Sequence, residues 1–135
     1  MNIQEIRTHN SFIHSRFYYT YDDPKHDSWK SHAKNLIDIP GYKIYDDCDG
    51  LASTTAHYLN IFGAKQVWRI LCSMEGGPVI DHMIAMVKSD SGQDWIVGDT
   101  GNNIPVKRQD WQGRFFLFNS INDGINWTEV PKETI

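Results

Sequence analysis

The clearest periodicity in the chain lies between Asp49 and Phe62, where apolar residues recur at helical spacing. Gly63 follows this segment, which is typical of the residue after a helix C-terminus. Asp46 or Asp47 can cap the beginning, so Cys48 is expected in the first turn. The residues that follow the helical spacing are Leu51, Thr55, Tyr58, Leu59 and Phe62, with Ala52 and Ala56 beside them.

After Gly63 the period changes to two, which predicts strands. A shorter helix is predicted earlier, from Ser28 as N-cap to about Ile37. Turn-forming residues occupy 21–24, 89–92 and 122–124. Because helices precede an antiparallel sheet, the predicted class is α+β. The predicted strands are 67–72, 80–88 and 94–99, with weaker patterns over 115–119 and 125–130.

The hairpin formed by the second and third strands makes a geometric prediction. A turn centred between residues 90 and 91 pairs His82 with Asp99, Ile84 with Val97 and Met86 with Trp95. Cross-strand neighbours lie about 5 Å apart at Cβ, close enough for a carboxylate to orient an imidazole. A shift of one residue would place His82 and Asp99 on opposite faces of the sheet.

Composition limits the class of protein. The 135 residues are 40% hydrophobic and 13% aromatic, which predicts a single folded domain over 1–135. The net charge of −4, without a long basic run, disfavours nucleic acid and anionic membranes as partners. No apolar stretch approaches the roughly 18–20 residues of a membrane-spanning helix. Residues 1–7 lack the features of a signal peptide, so a cytoplasmic chain is expected.

Two cysteines occur in contrasting surroundings. Cys72 ends the apolar run 67–71 and is predicted to be a buried core thiol. Without an export signal, a disulfide between Cys72 and Cys48 is not expected. Cys48 lies among the acidic residues of the segment 46–49, at the predicted helix start. The free N–H groups and the positive dipole of a helix N-terminus favour a thiolate there.

The order Cys48, His82, Asp99 predicts a thiol enzyme. An unperturbed thiol has a pKa near 8.5, and a helix N-terminus with a nearby imidazolium is expected to lower it. His82 would accept the thiol proton and return it to the leaving group, and Asp99 would fix the ring tautomer. The backbone N–H of Cys48 is the expected first oxyanion donor. The second donor is not determined by the sequence; a polar side chain just before the helix, Trp29 and Tyr45 are the candidates.

Several segments, in this order, resemble the transglutaminase-like superfamily, and within it the bacterial transglutaminase-like cysteine proteinases. The resemblance covers residues 28 to about 100. The matching segments are Asp-Cys-Asp-Gly-Leu-Ala at 47–52, Leu-Asn-Ile-Phe-Gly at 59–63, Val-Trp-Arg-Ile at 67–70, His-Met at 82–83 and Trp-Ile-Val-Gly-Asp-Thr at 95–100.

This resemblance implies a papain-like fold in which Cys48 begins the helix and His82 and Asp99 lie on adjacent strands. It implies attack on a peptide carbonyl through a thioester, with no required cofactor. Some members bind calcium through acidic residues beside the cysteine, and Asp47 and Asp49 match those positions. The chain differs from the family in its short length, in lacking an export signal and in Gly50, where a second acidic residue is common.

Other interpretations of the same residues remain open. The acidic residues of 46–49 also suit helix capping, and two carboxylates are too few for a complete calcium shell. His57 lies about 13 Å along the helix from Cys48, too far for proton transfer. His14, His26 and His32 are expected to be exposed.

The expected substrate is a peptide or protein. An amine could replace water as the acyl acceptor, which would make the protein an acyl transferase. Alternatively, the fold could serve as a non-catalytic binding module. The sequence does not predict the oligomeric state.

Overall fold

The computed structural model describes residues 1–21, 30–121 and 126–134. The predicted N-cap Ser28, together with His26, Trp29 and the turn at 122–124, lies outside these residues, as does most of the turn at 21–24. The helices are α1 (Ile3–Ser15), α2 (Ala33–Asp38) and α3 (Cys48–Ile61), with 3-10 helices at Arg108–Asp110 and Lys132–Thr134. The strands are β1 (Phe17–Tyr19), β2 (Ile44–Asp46), β3 (Val67–Ser73), β4 (His82–Lys88), β5 (Asp94–Val97), β6 (Val106–Lys107), β7 (Arg114–Ile121) and β8 (Trp127–Val130).

The fold is α+β, as the sequence predicts. Six strands form an antiparallel sheet in the order β6-β5-β4-β3-β7-β8, and α3 packs on its central strands β3 and β4. Strands β1 and β2 pair in parallel as a separate two-stranded sheet. Among the described residues, no helix has the length and apolar character needed to cross a bilayer.

Strand alternation divides the core between the two faces of the sheet. The face that α3 covers contributes Met83, Ala85 and Val87 from β4, packed against Ala52 and Ala56. The opposite face is also buried, because it packs against aromatic residues of β7 and of the segment before it. The buried residues of that face are Trp68, Ile70, Cys72, Ile84, Met86, Ile96 and Phe118.

Helix α1 was not predicted from the sequence. Its N-terminus carries a capping box, in which Asn2 accepts a hydrogen bond from the N–H of Glu5 and Glu5 accepts one from the N–H of Asn2. Its buried residues Ile6, Asn10 and Ile13 recur at helical spacing. The pattern therefore contained a signal, but polar Asn10 in the middle of the buried face obscured it.

The predicted register of the β4–β5 hairpin is wrong by one residue. Val97 pairs with Ala85, and Trp95 pairs with Val87. The reason is the loop: Ser89 accepts from Gly92 and donates to Gln93, so the loop has three residues, with Gly92 at a φ of 89°. In a loop with an odd number of residues, the centre of the hairpin falls on a residue, whereas in a two-residue loop it falls between two residues.

Gly98 compensates for this shift. A regular continuation of β5 would place residue 99 on the face opposite His82. Strand β5 instead ends at Val97, and Gly98 has a φ of 58°, which turns the chain. Asp99 consequently reaches the ring of His82, so the predicted pair forms although the register that predicted it was wrong.

Candidate active site

Cys48 is the first residue of α3, as the sequence predicts. Asp47 is the N-cap, with an extended backbone, and its side chain accepts a hydrogen bond from the N–H of Asp49 at 3.1 Å. Of the two capping candidates, Asp47 therefore caps the helix. The capping function also accounts for one of the acidic residues beside the thiol.

The thiol of Cys48 is partly buried against strand β4. It accepts a hydrogen bond from the backbone N–H of Met83 and donates one to Asp49 Oδ1 at 3.5 Å. Burial raises the pKa of Cys48 to about 12, the Met83 N–H opposes this increase, and the negative charges of Asp49 and Asp47 add to it. The structure therefore contradicts the lowered thiol pKa expected from the sequence, since burial and the carboxylates outweigh the helix N-terminus.

A pH titration of thiol reactivity distinguishes a raised pKa of Cys48 from a lowered one. With a pKa raised to about 12, the alkylation rate of Cys48 by iodoacetamide should rise about tenfold per pH unit between roughly pH 7 and 10, without a plateau. Peptide mapping of briefly labelled protein measures this rate. Cys72, which is fully buried, is the internal control and should stay unlabelled. A plateau below about pH 8 would instead indicate the thiolate–imidazolium pair expected from the sequence.

His82 and Asp99 form a buried pair at the beginning of β4. His82 Nε2 lies 2.8 Å from Asp99 Oδ1, and the two residues are 5% and 6% exposed. Asp99 also accepts hydrogen bonds from the N–H of Gly101 and the indole of Trp111. Burial alone would raise the pKa of Asp99, but these bonds outweigh burial and lower it, so the carboxylate is ionised.

This bonding fixes the tautomer of His82. An ionised carboxylate can only accept a hydrogen bond, so Nε2 carries the hydrogen that it donates to Asp99, and in the neutral ring Nδ1 retains a lone pair. Nδ1 is then the nitrogen that can accept a proton from a nucleophile. The predicted contact of Asp99 with His82 is present, and an orienting role for Asp99 in catalysis remains a prediction.

The structure brings Cys48 to the same strand end as His82. The sulfur contacts the backbone N–H of Met83, the residue that follows His82 in the chain. Within the described residues, the hydrogen-bond partners of the sulfur are Asp49 and Met83, and the ring of His82 is not among them. The resting thiol is therefore protonated and bonded to Asp49, so proton transfer to His82 requires the thiol hydrogen to leave Asp49.

Asn10 of α1 fixes the loop that carries Asp99, a contribution that the sequence did not reveal. It is fully buried, accepts a hydrogen bond from the N–H of Gly98 at 3.1 Å and donates one to the carbonyl of Asn103 at 3.0 Å. The two bonds bracket Asp99 in the chain. A buried Asn between Ile6 and Ile13 on a helix was the available signal.

The backbone N–H of Cys48 is available as an oxyanion donor. Among the described residues it has no hydrogen-bond partner, as expected for the first residue of a helix. Tyr45, one candidate for the second donor, is 60% exposed and stacks on Tyr18 with 5.3 Å between ring centroids. Trp29, another candidate, lies outside the described residues.

The described residues provide an incomplete ligand set for calcium. The side-chain ligand atoms of Asp47, Cys48 and Asp49 lie within 4.8 Å of one another. Calcium takes about six to eight oxygen ligands, whereas this group offers two carboxylates and a thiol. Both carboxylates also take part in hydrogen bonds at the start of α3. Calcium binding at Asp47 and Asp49 remains a prediction from the sequence resemblance.

A second histidine–carboxylate pair lies just before α3. His32 Nε2 is 2.7 Å from Asp46 Oδ2, and Nδ1 is 2.9 Å from the hydroxyl of Tyr42. Asp46 Oδ1 accepts the N–H of Asp47, so one carboxylate connects His32 to the N-cap of α3. The side chains of His32 and Asp46 are only 15% and 12% exposed, so the predicted exposure of His32 was wrong.

The remaining histidines differ in part from expectation. His14 is half-buried, so the expectation that it is exposed is also wrong. His57 is hydrogen-bonded to Ser31 at 2.9 Å.

Removing the His32 ring should weaken the fold at the start of α3. His32→Ala removes the hydrogen bond to Oδ2 of the largely buried Asp46, and we expect a loss of about 1–3 kcal/mol in the free energy of unfolding. Tyr42→Phe, the matched control, removes a single neutral hydrogen bond and should cost about 0.5–1.5 kcal/mol. Urea denaturation measures both. A loss in His32→Ala no larger than that in Tyr42→Phe would contradict this anchoring role.

No family model matches the chain, and neither a curated protein nor a solved structure matches it. The resemblance to the transglutaminase-like superfamily therefore remains a prediction from the sequence motifs.

Proposed function

We propose that the protein is a thiol hydrolase that cleaves a peptide or other amide bond. Cys48 is the nucleophile, His82 is the general base and acid, and Asp99 orients His82. The observation that supports this most strongly is the buried His82–Asp99 pair, placed one residue from the backbone N–H that bonds the Cys48 sulfur. We further propose that α3, β4 and β5 correspond to the nucleophile helix and adjacent strands of a papain-like fold.

The raised thiol pKa determines the order of events in this mechanism. The thiol proton moves to Nδ1 of His82 as the sulfur attacks the carbonyl carbon, because a free thiolate is rare at neutral pH. The backbone N–H of Cys48 then donates a hydrogen bond to the developing oxyanion. The imidazolium of His82, stabilised by Asp99, returns the proton to the leaving amine, and a thioester remains on Cys48.

Water then attacks the thioester, His82 takes its proton, and the carboxylic acid leaves with release of the thiol. An amine could attack in place of water, which would make the protein an acyl transferase. Both reactions use the same three residues up to the thioester.

A paired assay tests the proposal and distinguishes these outcomes. Purified protein is incubated with a library of quenched fluorescent peptides, with and without a fluorescent primary amine as acyl acceptor. We expect peptide cleavage that is lost in Cys48→Ala. Incorporation of the amine without cleavage would favour the transferase. Neither activity in the wild-type protein, across the library and at pH values from about 6 to 9, would favour a non-catalytic binding module.

A further inference from the structure

A cavity of about 490 Å³ lies between the last turn of α1, strand β1 and the loop after β5. Its walls are formed by His14, Phe17, Tyr19 and the loop 100–103. Asn10 holds this loop in place, because it accepts a hydrogen bond from Gly98, just before the loop, and donates one to Asn103, the last residue of the loop. The cavity is therefore a feature of the folded scaffold.

The two sides of the cavity are connected to the two halves of the candidate active site. On one side, Tyr19 pairs with Asp46, two residues before Cys48. On the other side, Gly101 donates its N–H to Asp99 at 2.9 Å. Tyr19 also lies within electrostatic reach of the site, because desolvation raises its pKa and the nearby carboxylates of Asp47 and Asp49 raise it further.

The lining is uncharged and partly aromatic. The rings of Phe17 and Tyr19 meet edge to face with 6.4 Å between centroids, and the loop contributes Thr100, Asn102 and Asn103. Burial lowers the pKa of His14, so its ring is neutral at pH 7. His14 Nε2 has no hydrogen-bond partner among the described residues. Aromatic walls favour a flat apolar group, and the neutral polar groups suit a hydroxyl at its end.

We propose that this cavity is a substrate-specificity subsite that binds an aromatic side chain of the peptide substrate, with tyrosine preferred. The identification of the bound residue as part of a substrate rests on the proposed hydrolase function. Acidic and basic side chains are disfavoured, because the lining has no charged group to pair with them.

A binding measurement tests the subsite separately from catalysis. Protein labelled with nitrogen-15 and carrying Cys48→Ala is titrated with N-acetyl-tyrosinamide, and with the lysine and glutamate analogues. We expect saturable amide shifts at residues 100–103 and in β1, with at least fivefold weaker binding of the lysine and glutamate compounds. No saturable shifts there, or equal binding of all three compounds, would overturn the proposal.

Two neighbouring tyrosines provide matched variants. Tyr19→Ala removes one wall of the cavity. Tyr18→Ala changes the preceding residue, which stacks on Tyr45 and does not line the cavity. Both residues are well exposed, so neither change should prevent folding. We expect binding of N-acetyl-tyrosinamide to weaken at least fivefold in Tyr19→Ala and to stay within twofold in Tyr18→Ala. Equal effects of the two changes would contradict the assignment.

Cleavage kinetics extend the test to the substrate. Peptides with tyrosine beside the cleaved bond should have kcat/KM at least tenfold above matched lysine or glutamate peptides, and Tyr19→Ala should remove this preference through KM. Binding without cleavage would leave the subsite intact and reject the hydrolase. Cleavage without a preference for aromatic residues would reject the subsite and keep the hydrolase.

Discussion

Replacing Cys48 with alanine should lower peptide cleavage by roughly 10⁴- to 10⁶-fold, because the sulfur forms the covalent intermediate. His82→Ala should cause a loss of similar size, since a thiol with a pKa near 12 depends on a base to lose its proton. The double variant should be no less active than either single variant, because the two residues act as a unit. Initial rates at saturating peptide measure all three.

Matched residues elsewhere in the chain control for these changes. Cys72→Ala removes the second thiol, which is fully buried in the core of the sheet face opposite α3. His57→Ala removes a histidine of α3 that is bonded to Ser31. Provided that they fold, both should retain cleavage within about threefold. The double variant combines Cys48→Ala and His82→Ala. If its loss of cleavage rate equals the product of the two single losses, the two residues act independently, which would contradict a shared mechanism.

Gly98→Ala should cause a large loss of stability for a single added methyl group. Gly98 has a φ of 58°, and a Cβ there would lie 2.8 Å from Cβ and Oγ1 of Thr55. Backbone strain and the displacement of Thr55, which is fully buried, should together cost about 2–4 kcal/mol in the free energy of unfolding. Because Gly98 directs Asp99 toward His82, cleavage by the folded fraction should also fall.

Gly92→Ala separates the strain of a positive φ from the close approach to Thr55. Gly92 has a φ of 89°, and a Cβ there would meet no atom within 4 Å. Its substitution should cost only the conformational strain of about 1–2 kcal/mol. Urea denaturation compares the two variants. Equal losses of stability in Gly98→Ala and Gly92→Ala would mean that Thr55 can move away from the added methyl group without destabilising the fold.

The elements with strong periodicity could be predicted from the sequence. Helix α3 extends from Cys48 to Ile61 against a prediction of 49–62, and the strands β3 (Val67–Ser73) and β4 (His82–Lys88) lie close to the predicted ranges 67–72 and 80–88. These elements are long and bury one or both faces, so packing and pattern agree. Short strands β1 and β2 were missed, since three residues carry no measurable period.

The candidate site was predictable in its residues but not in its electrostatics. The positions of Cys48, His82 and Asp99 follow from a helix start and a hairpin, although the contact of Asp99 depends on the backbone turn at Gly98. The thiol pKa depends on burial and on the side chain of Asp49, and neither can be read from one sequence. The His32–Asp46 pair joins residues from two segments, which no local pattern indicates.

In the proposed mechanism, the sulfur of Cys48, the ring of His82 and the carboxylate of Asp99 act as one unit. Acylation by p-nitrophenyl acetate tests it most directly, with peptide mapping to locate the acetyl group and intact-mass measurement to follow its rate. We expect acetylation of Cys48 at pH 7, at a rate at least 100-fold lower in His82→Ala and strongly lowered in Asp99→Asn. Acetylation of Cys48 at the same rate in wild type and His82→Ala would contradict it.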